Sequence, residues 1–422
     1  MPWSRRALLA AAVSVGAAGC SALSGPAGRG PSGTPASPPA TATYAYTHLQ
    51  ASGNRVVPGS GSVRDASPVT IEVRGTPAWL LAAGGSESRW VVVTADGTAT
   101  THRVSGGTSR TVAEHGRVSV PPLAYVADGT VGLVECPADC AEYTHPVVLD
   151  DGILYVAADG DVVIWRRDTT TRLDAEAPPD ARPVAAGDGR YALYGGRTDR
   201  YRHGALGDTT EGSRLLLVDA VSGRVDADVT LDAPAAFEGL SPLVADIDDD
   251  GDPEFVTTIA DATDGARLRV YGTDGRELAT GPVYGPGWRH QLCVAPFGPD
   301  GTPEIAVVRK PHVDRTLEFY RLDGDDLTVT ATAAGYASHT YGSRNLDGGL
   351  AADLDGDGRT ELLVPTTDRR HLDAVRRTDD GAGQAWSLPL DGRLATNVAG
   401  AALEDGLAVG AGTEDAVRVW HG

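Results

Sequence analysis

Short runs of apolar residues alternate with turns rich in glycine and aspartate along most of the chain after residue 63. Some runs are uniformly apolar, such as EFVTTIA from Glu254, and others alternate, such as LEFYRL from Leu317. Runs of this length between turn residues predict β-strands. No long stretch beyond the extreme N-terminus has apolar residues at helical spacing. The pattern therefore predicts an all-β body.

Three segments repeat one order of elements: an apolar strand, a glycine turn and a second apolar strand. Their first turn positions are Asp246, Pro296 and Asp353, so the copies are 50 and 57 residues apart. A repeat of this length with several short strands is typical of a propeller blade. Residues 63–422 then hold about seven four-stranded blades, within a range of six to eight. We expect a strand within residues 44–57 to complete the short C-terminal unit and close the ring. Two β-sandwiches are the alternative, and the recurring acidic hairpin favours the propeller.

Two of these turns carry oxygen ligands at positions 1, 3, 5 and 9 and glycine at position 6. Calcium takes six to eight oxygen ligands in flexible geometry, and position 7 adds a backbone carbonyl. The alternative is an acidic surface turn without an ion. The third turn keeps only Asp300 and Glu304, and we expect no ion there. The predicted structural calcium ligands are Asp246, Asp248, Asp250, Asp252 and Glu254 in one turn and Asp353, Asp355, Asp357, Arg359 and Glu361 in the other.

These two turns resemble the FG-GAP/VCBS repeats of integrin-alpha-type propellers. In that family the Asp-x-Asp-x-Asp-Gly-x-x-Asp/Glu pattern lies in the hairpin between the first two strands of a blade. The resemblance is specific at residues 246–254 and 353–361, weak at 296–304 and architectural elsewhere. It implies a β-propeller in which the calcium ion is structural.

The N-terminus has the order of an export signal. Arg5 and Arg6 form a twin-arginine pair, and Ala7 begins a thirteen-residue apolar run that ends in Gly-Ala-Ala-Gly-Cys. This run is too short to span a bilayer and suits a signal-peptide core. The ending resembles the lipobox of prokaryotic lipoproteins, which implies a signal peptide over residues 1–19 and lipidation of Cys20. An ordinary cleaved signal or an uncleaved anchor is the alternative. Residues 20–43 then form a disordered tether rich in Ser, Pro, Gly and Thr, and residues 44–422 form the propeller.

The charge balance limits the partners of this chain. The formal net charge is −21, so its surface would repel the phosphates of nucleic acids. Lys310 is the only lysine. Together with the aspartate-rich loops, this composition fits a halophilic source such as a haloarchaeon, or simple GC-driven codon bias. No nucleic-acid partner is therefore expected. The N-terminal signal and the lipobox predict a protein outside the cell, anchored to the outer face of the membrane.

Basic and aromatic residues collect in loops of one kind, which is unexpected in an acidic chain. In a propeller, the loops between the second and third strands and the links between blades lie on the face opposite the acidic hairpins. Arginine pairs bidentately with carboxylates or sulfates, and aromatic rings suit sugars or cations. We expect an anionic partner there, an acidic polysaccharide or an acidic protein patch. The alternative is scattered charges paired with neighbouring acids. The predicted ligand face comprises Arg200, Arg202, His203, Trp288, Arg289, His290, His312, Arg344, Arg370 and His371.

Two further features of the sequence bear on its chemistry: the cysteines and the absence of familiar catalytic motifs. Cys136 and Cys140 are predicted to form a local disulfide, because close cysteines in an exported protein are often bonded. A metal site there would need ligands such as Glu135 and His145. Cys293 is expected to be a buried thiol. The chain contains no nucleophile elbow, phosphate loop or dinucleotide fingerprint.

Two functional classes follow. The first is a surface-displayed binding propeller without catalysis. The second is a carbohydrate-active enzyme on the same scaffold, such as a polysaccharide lyase. A quinoprotein dehydrogenase is less compatible, because its adjacent cysteines and repeated tryptophan motifs are missing. Fold alone does not decide between these classes.

Overall fold

The computed structural model describes residues 42–48, 51–118 and 121–422. The predicted signal peptide, Cys20 and nearly all of the predicted tether lie outside these residues. No helix in the described ranges is long and apolar enough to cross a membrane. The secondary structure consists of β-strands, as the sequence predicts.

The N-terminal half of the described chain contains seventeen strands. They are β1 (Thr43–Tyr46), β2 (Val56–Ser60), β3 (Val69–Glu72), β4 (Pro77–Ala83), β5 (Ser88–Thr94), β6 (Thr98–Ser105), β7 (Thr108–Arg117), β8 (Leu123–Ala127), β9 (Thr130–Val134), β10 (Val147–Leu149), β11 (Gly152–Val156), β12 (Val162–Arg166), β13 (Thr170–Leu173), β14 (Val184–Ala185), β15 (Arg190–Thr198), β16 (Glu211–Asp219) and β17 (Arg224–Thr230).

The C-terminal half contains the remaining strands of the described chain. They are β18 (Ala236–Phe237), β19 (Leu243–Ala245), β20 (Glu254–Asp261), β21 (Gly265–Tyr271), β22 (Glu277–Thr280), β23 (Arg289–Ala295), β24 (Glu304–Arg309), β25 (Thr316–Asp323), β26 (Asp326–Ala334), β27 (Leu350–Asp353), β28 (Glu361–Pro365), β29 (His371–Thr378), β30 (Gly381–Pro389), β31 (Val398–Leu403), β32 (Gly406–Gly412) and β33 (Ala416–His421).

The strands of the described residues divide into eight antiparallel blades, three of which are joined into one thirteen-stranded sheet by β18 and by a single parallel pairing of β22 with β26. Seven blades have four strands, and blade II has three. Eight lies within the predicted range of six to eight, and it exceeds seven because blade II takes only a short stretch of chain. The blades are I (β4–β7), II (β1, β8, β9), III (β10–β13), IV (β14–β17), V (β19–β22), VI (β23–β26), VII (β27–β30) and VIII (β31–β33 with β3).

Side-chain packing between the blades closes the ring, although no sheet of the described residues closes on itself. Each pair of neighbouring blades shares one buried apolar cluster, and this includes the last pair. Trp90 of blade I packs with Val417 of blade VIII, and Leu193 of blade IV packs with Val156 of blade III. The first strands of most neighbouring blades contact one another and line the centre. Because the blades pack into a closed ring, the body is a β-propeller. Closure of the ring removes exposed sheet edges.

The N-terminal segment closes the ring in a different way from the prediction. Strand β3, over Val69–Glu72, pairs with β33 and completes blade VIII. The predicted strand within residues 44–57 instead contributes β1 to blade II, through pairing with β8, and β2 to the inner edge of blade VII. The expectation that residues 44–57 complete the C-terminal unit was wrong. Strand alternation alone does not show which blade an N-terminal strand joins.

The same segment crosses the middle of the ring. Backbone or side-chain groups of residues 51–55 bond successively to Ala185, Val244, Val294 and Ala351 on the first strands of blades IV to VII. The Thr47 carbonyl accepts a hydrogen bond from Asn397, next to blade VIII. The centre of this propeller is therefore occupied by its own chain.

Candidate functional site

The first acidic hairpin, residues 246–254, joins the first two strands of blade V. Single carboxylate oxygens of Asp246, Asp248 and Asp250 lie within 4.8 Å of one another. Asp246 accepts hydrogen bonds from the backbone N–H groups of Asp250 and Gly251, at 3.2 and 3.0 Å. Gly251 has φ +94°, which residues with a Cβ rarely adopt. The glycine permits the bend that brings the three carboxylates together.

Glu254 forms the floor of this hairpin. Its side chain is buried, and one carboxylate oxygen accepts a hydrogen bond from the backbone N–H of Ile247 at 2.9 Å. Burial, and then the nearby acids Asp248, Asp250 and Asp246, raise the pKa of Glu254 to about 7. Clustered carboxylates repel each other unless a cation balances them. The donor set suits a hard divalent cation such as calcium.

The second acidic hairpin, residues 353–361, occupies the same place in blade VII. Oxygens of Asp353, Asp355 and Asp357 again lie within 4.8 Å of one another, and Glu361 is buried. The guanidinium of Arg376 reaches into this cluster. It lies 3.0 Å from Asp355 and 2.9 Å from Asp357, and it also contacts Glu361. An arginine already balances part of the negative charge of the second hairpin.

The third hairpin, residues 296–304, belongs to blade VI and has lost most of its acids. Arg321 pairs with Asp300 and with buried Glu304, both at 3.2 Å. Arg377, from blade VII, bonds the other oxygen of Glu304 at 2.8 Å. Two arginines therefore balance the few carboxylates that remain in this turn.

Strand register explains why the three hairpins differ. Phe255, Ile305 and Leu362 pair with Tyr271, Tyr320 and Val375 on the third strand of their blades. The residues one step further, opposite the buried glutamates, are Gly272 in blade V, Arg321 in blade VI and Arg376 in blade VII. The glutamate at position 9 of each turn thus lies opposite a glycine or an arginine at the third strand of its blade. This signal is readable in the sequence once the register is known.

Part of the predicted ligand face gathers near the axis. The ring of Trp288 stacks on His290 at 4.6 Å between centroids and meets His339 at 4.9 Å. His312 lies 4.6 Å from His339 and 5.1 Å from the exposed ring of Tyr341. Burial lowers the pKa of His290 well below its ordinary value and lowers the pKa of His339 to about 3. These imidazoles are neutral at pH 7.

His203 and Arg344 lie at the edge of this group and are already paired. His203 bonds buried Glu238, and this bond raises the pKa of His203. Arg344 lies 2.8 Å from Asp180, also contacts Asp208, and covers one face of Tyr143 at 4.1 Å.

The other predicted ligand-face residues do not join this group. Arg289 is fully buried and donates to the backbone carbonyls of Ala266 and Gly287. Arg200 donates to the Leu231 carbonyl at 2.8 Å. The remaining three are exposed. Arg202 pairs with Asp199, Arg370 lies in the turn before β29, and His371 is the first residue of β29.

A buried ion network at the axis is absent from the sequence prediction. Asp347 is 1% exposed and pairs with Arg182 at 2.7 Å and with Arg55 at 3.4 Å. His48 lies beside it, and burial lowers the pKa of that imidazole to about 3. These residues come from distant parts of the chain, and no local pattern marks them. The network fastens the crossing segment to the long link of residues 336–349.

The cysteines lie where the sequence suggests. Cys136 and Cys140 carry unbonded thiols that face each other, with Sγ atoms 2.7 Å apart, between blades II and III. Their disulfide stays a prediction. Cys293 is a buried thiol on β23, and burial raises its pKa to about 12.

Two open grooves flank the ring. The first has a volume of about 740 Å³ and lies between the hairpins of blades VI and VII, beside Arg321, Arg359 and Arg377. The second has a volume of about 550 Å³ and lies on the opposite face, beside Trp79 and Tyr143. This opposite face, built from the blade links and the loops between second and third strands, is called the link face below.

Comparison with known proteins adds little beyond this geometry. No protein-family model and no curated protein matches the chain. Among solved structures, Sqt1 of Saccharomyces cerevisiae is 10% identical with a TM-score of 0.49, covering 86% of this chain and 100% of that one. Raptor of Chaetomium thermophilum is 10% identical with a TM-score of 0.47, covering 88% of this chain and 29% of that one. A chain of a mitotic checkpoint complex is 10% identical with a TM-score of 0.44, covering 85% of this chain and 96% of that one. Similarity this low carries no functional argument.

Proposed function

We propose that this chain is an exported, lipid-anchored β-propeller that displays a binding surface for an anionic extracellular ligand. The observation that carries the proposal is the convergence of loops from several blades on the link face, around a centre filled by the chain itself. A closed ring with a blocked axis offers rigid loop surfaces for binding. The order of twin arginine, apolar run and lipobox cysteine supports the anchor at Cys20.

The acidic hairpins complete the proposal as structural calcium sites. The ion would be held by Asp246, Asp248, Asp250 and Glu254 in the first hairpin and by Asp353, Asp355, Asp357 and Glu361 in the second. The backbone carbonyls of Asp252 and Arg359 would add a ligand each. Three carboxylates within 4.8 Å beside a buried glutamate support this assignment. Calcium would neutralise these acids and stabilise blades V and VII.

The anchor is tested by fractionation of cells that express Cys20→Ser. We expect the variant to leave the membrane fraction and to change its gel mobility. A variant that stays with the membrane at unchanged mobility would refute lipidation.

Binding is tested with the full protein, purified in detergent, on an array of acidic and neutral glycans and acidic peptides with calcium present. We expect retention on acidic probes only. Release of an unsaturated sugar product would indicate a polysaccharide lyase instead. Absence of binding to every acidic probe would refute the proposed ligand class.

A further inference from the structure

A small recess opens on the link face where blades VI, VII and VIII meet. It has a volume of about 30 Å³ and is lined by Ser338, His339, Arg369 and Thr396 among others. Ser338 is fully buried, and its hydroxyl has no hydrogen-bond partner among the described residues; His339 is 7% exposed, and its imidazole interacts with the backbone of Ala205. A buried polar group without a hydrogen-bond partner destabilises the native state. The wall of the recess therefore contains polar side chains to which a bound ligand would form hydrogen bonds.

The charge at this recess is positive. Arg369 lines it, is half-buried, and forms no ion pair with any described residue; its pKa is lowered by burial and then by Arg393, while Glu414 acts in the opposite direction. Burial, then His203, and then Arg315 and Arg369 lower the pKa of His312, whose ring touches His339. Arginine without a carboxylate partner is unexpected in a chain of net charge −21. A bound anion would supply the missing partner.

The recess adjoins the 550 Å³ groove of the link face. Ser343, Asn345 and Ala395 line both. The groove carries the half-buried ring of Trp79 and the ring of Tyr143, which is 38% exposed and is covered on one face by Arg344. Flat aromatic surface beside a cationic pocket suits a ligand with both a ring face and a carboxylate.

We propose that this groove binds an acidic oligosaccharide, with the carboxylate of one uronic acid in the recess at Arg369 and an adjoining sugar ring against Tyr143 and Trp79. Ser338, which also lines the recess, would offer its hydroxyl to the carboxylate. A recess of 30 Å³ admits a single small anionic group, and the open groove beside it leaves room for the rest of a chain. The arginine without a carboxylate partner lies at the recess, whereas Arg344 in the groove is already paired with Asp180 and Asp208, so the site suits one carboxylate rather than the row of them on an acidic protein patch. The inference rests on the proposed anionic ligand and adds its site and its class.

The test uses the full protein in detergent with a fixed excess of calcium. Oligogalacturonate is titrated calorimetrically, and its methyl-esterified form serves as the uncharged counterpart. We expect binding of the acid form only. Arg369→Met and Tyr143→Ala should each weaken it at least tenfold, and Arg369→Lys should weaken it less. Arg224→Met is the matched control, since Arg224 is an exposed arginine that lines neither the recess nor the groove.

The outcomes separate the site from the general proposal. Unchanged thermal unfolding of Arg369→Met would show that the loss is not caused by misfolding, and Tyr143→Ala gives a second, uncharged probe of the groove. Binding that survives Arg369→Met and Tyr143→Ala, or that falls equally in Arg224→Met, would overturn this site while leaving an anionic ligand in place. Equal binding of the methyl ester, or Arg369-dependent binding of polyglutamate in preference to the oligosaccharide, would overturn the uronic-acid assignment. Failure of every acidic probe would overturn both proposals.

Discussion

The acidic hairpins of blades V and VII carry the same pattern of carboxylates but differ in what balances them. In the second hairpin, Arg376 reaches across from the third strand to Asp355, Asp357 and Glu361. In the first hairpin, the equivalent position is Gly272, and no ion pair among the described residues reaches Asp246, Asp248 or Asp250. The first hairpin keeps an uncompensated cluster and a buried glutamate whose pKa is raised to about 7.

This difference shows that a loop motif does not by itself set the demand for a cation. The residue opposite the buried glutamate decides how much negative charge is left. The third hairpin continues the trend, because Arg321 and Arg377 balance its two acids. We therefore expect the first hairpin to depend most on calcium, the second to depend on calcium and arginine together, and the third to depend on arginine alone.

The largest effect is expected from removal of Arg376. Arg376→Met would leave three carboxylates of the second hairpin without their cation, and breaking a largely buried pair costs about 3 kcal/mol or more. Urea unfolding in chelator should show this loss, and calcium should restore much of it. Arg418→Met is the matched control, since Arg418 is 19% exposed, close to the 18% of Arg376, but pairs with one exposed carboxylate. A loss that calcium does not reduce would contradict the shared role.

The next effect is the response to calcium itself. A ligand at a hundredfold excess over its Kd stabilises the native state by about 2.7 kcal/mol. Asp248→Ala should remove more of this calcium-induced shift in Tm than Asp355→Ala does, because Arg376 already compensates the second hairpin. Both variants are compared over several salt concentrations, since salt screens the exposed carboxylates. Equal losses in the two variants, or no calcium response in the parent protein, would refute the ranking.

The stability of the protein, against which the hairpins are compared, should also depend on pH through two buried histidines. His48 and His339 are buried neutral, with pKa values lowered to about 3, so between pH 6.5 and 3 the unfolded chain binds protons that the native chain does not. Stability should fall with decreasing pH in this window by up to about 1.4 kcal/mol per pH unit for each imidazole. His48→Gln should reduce this slope in unfolding experiments. An unchanged slope in His48→Gln would refute the account.

The smallest effect tests whether an added arginine can replace part of the calcium. Gly272→Arg places a guanidinium opposite Glu254, where a new Cβ would meet its nearest atoms at 3.2 and 3.6 Å. We expect several-fold weaker calcium binding at the first hairpin, about 1 kcal/mol, and higher stability in chelator. Gly272→Met controls for side-chain bulk. Calorimetric titration that gives the same affinity for both variants would show that charge at this position is irrelevant.

The sequence by itself determined the all-β class, the repeated hairpin and the positions of the clustered acidic residues. These features depend on residues that are near neighbours in the chain, such as Asp246 and Glu254, and on alternation within single strands. The propeller followed from the repeat length. The anchor at Cys20 and its signal order are equally local, and they stay predictions.

Only the tertiary structure decided which distant residues meet. Closure through β3 and passage of residues 51–55 across the axis depend on a register that hydrogen bonds between remote strands set. The pairing of Asp347 with Arg55 and Arg182, the contact of Arg376 with the second hairpin and the recess at Arg369 all join loops from different strands or blades. Such contacts form because the closed ring brings inner strands and links together at one axis, and no short window of sequence contains that geometry.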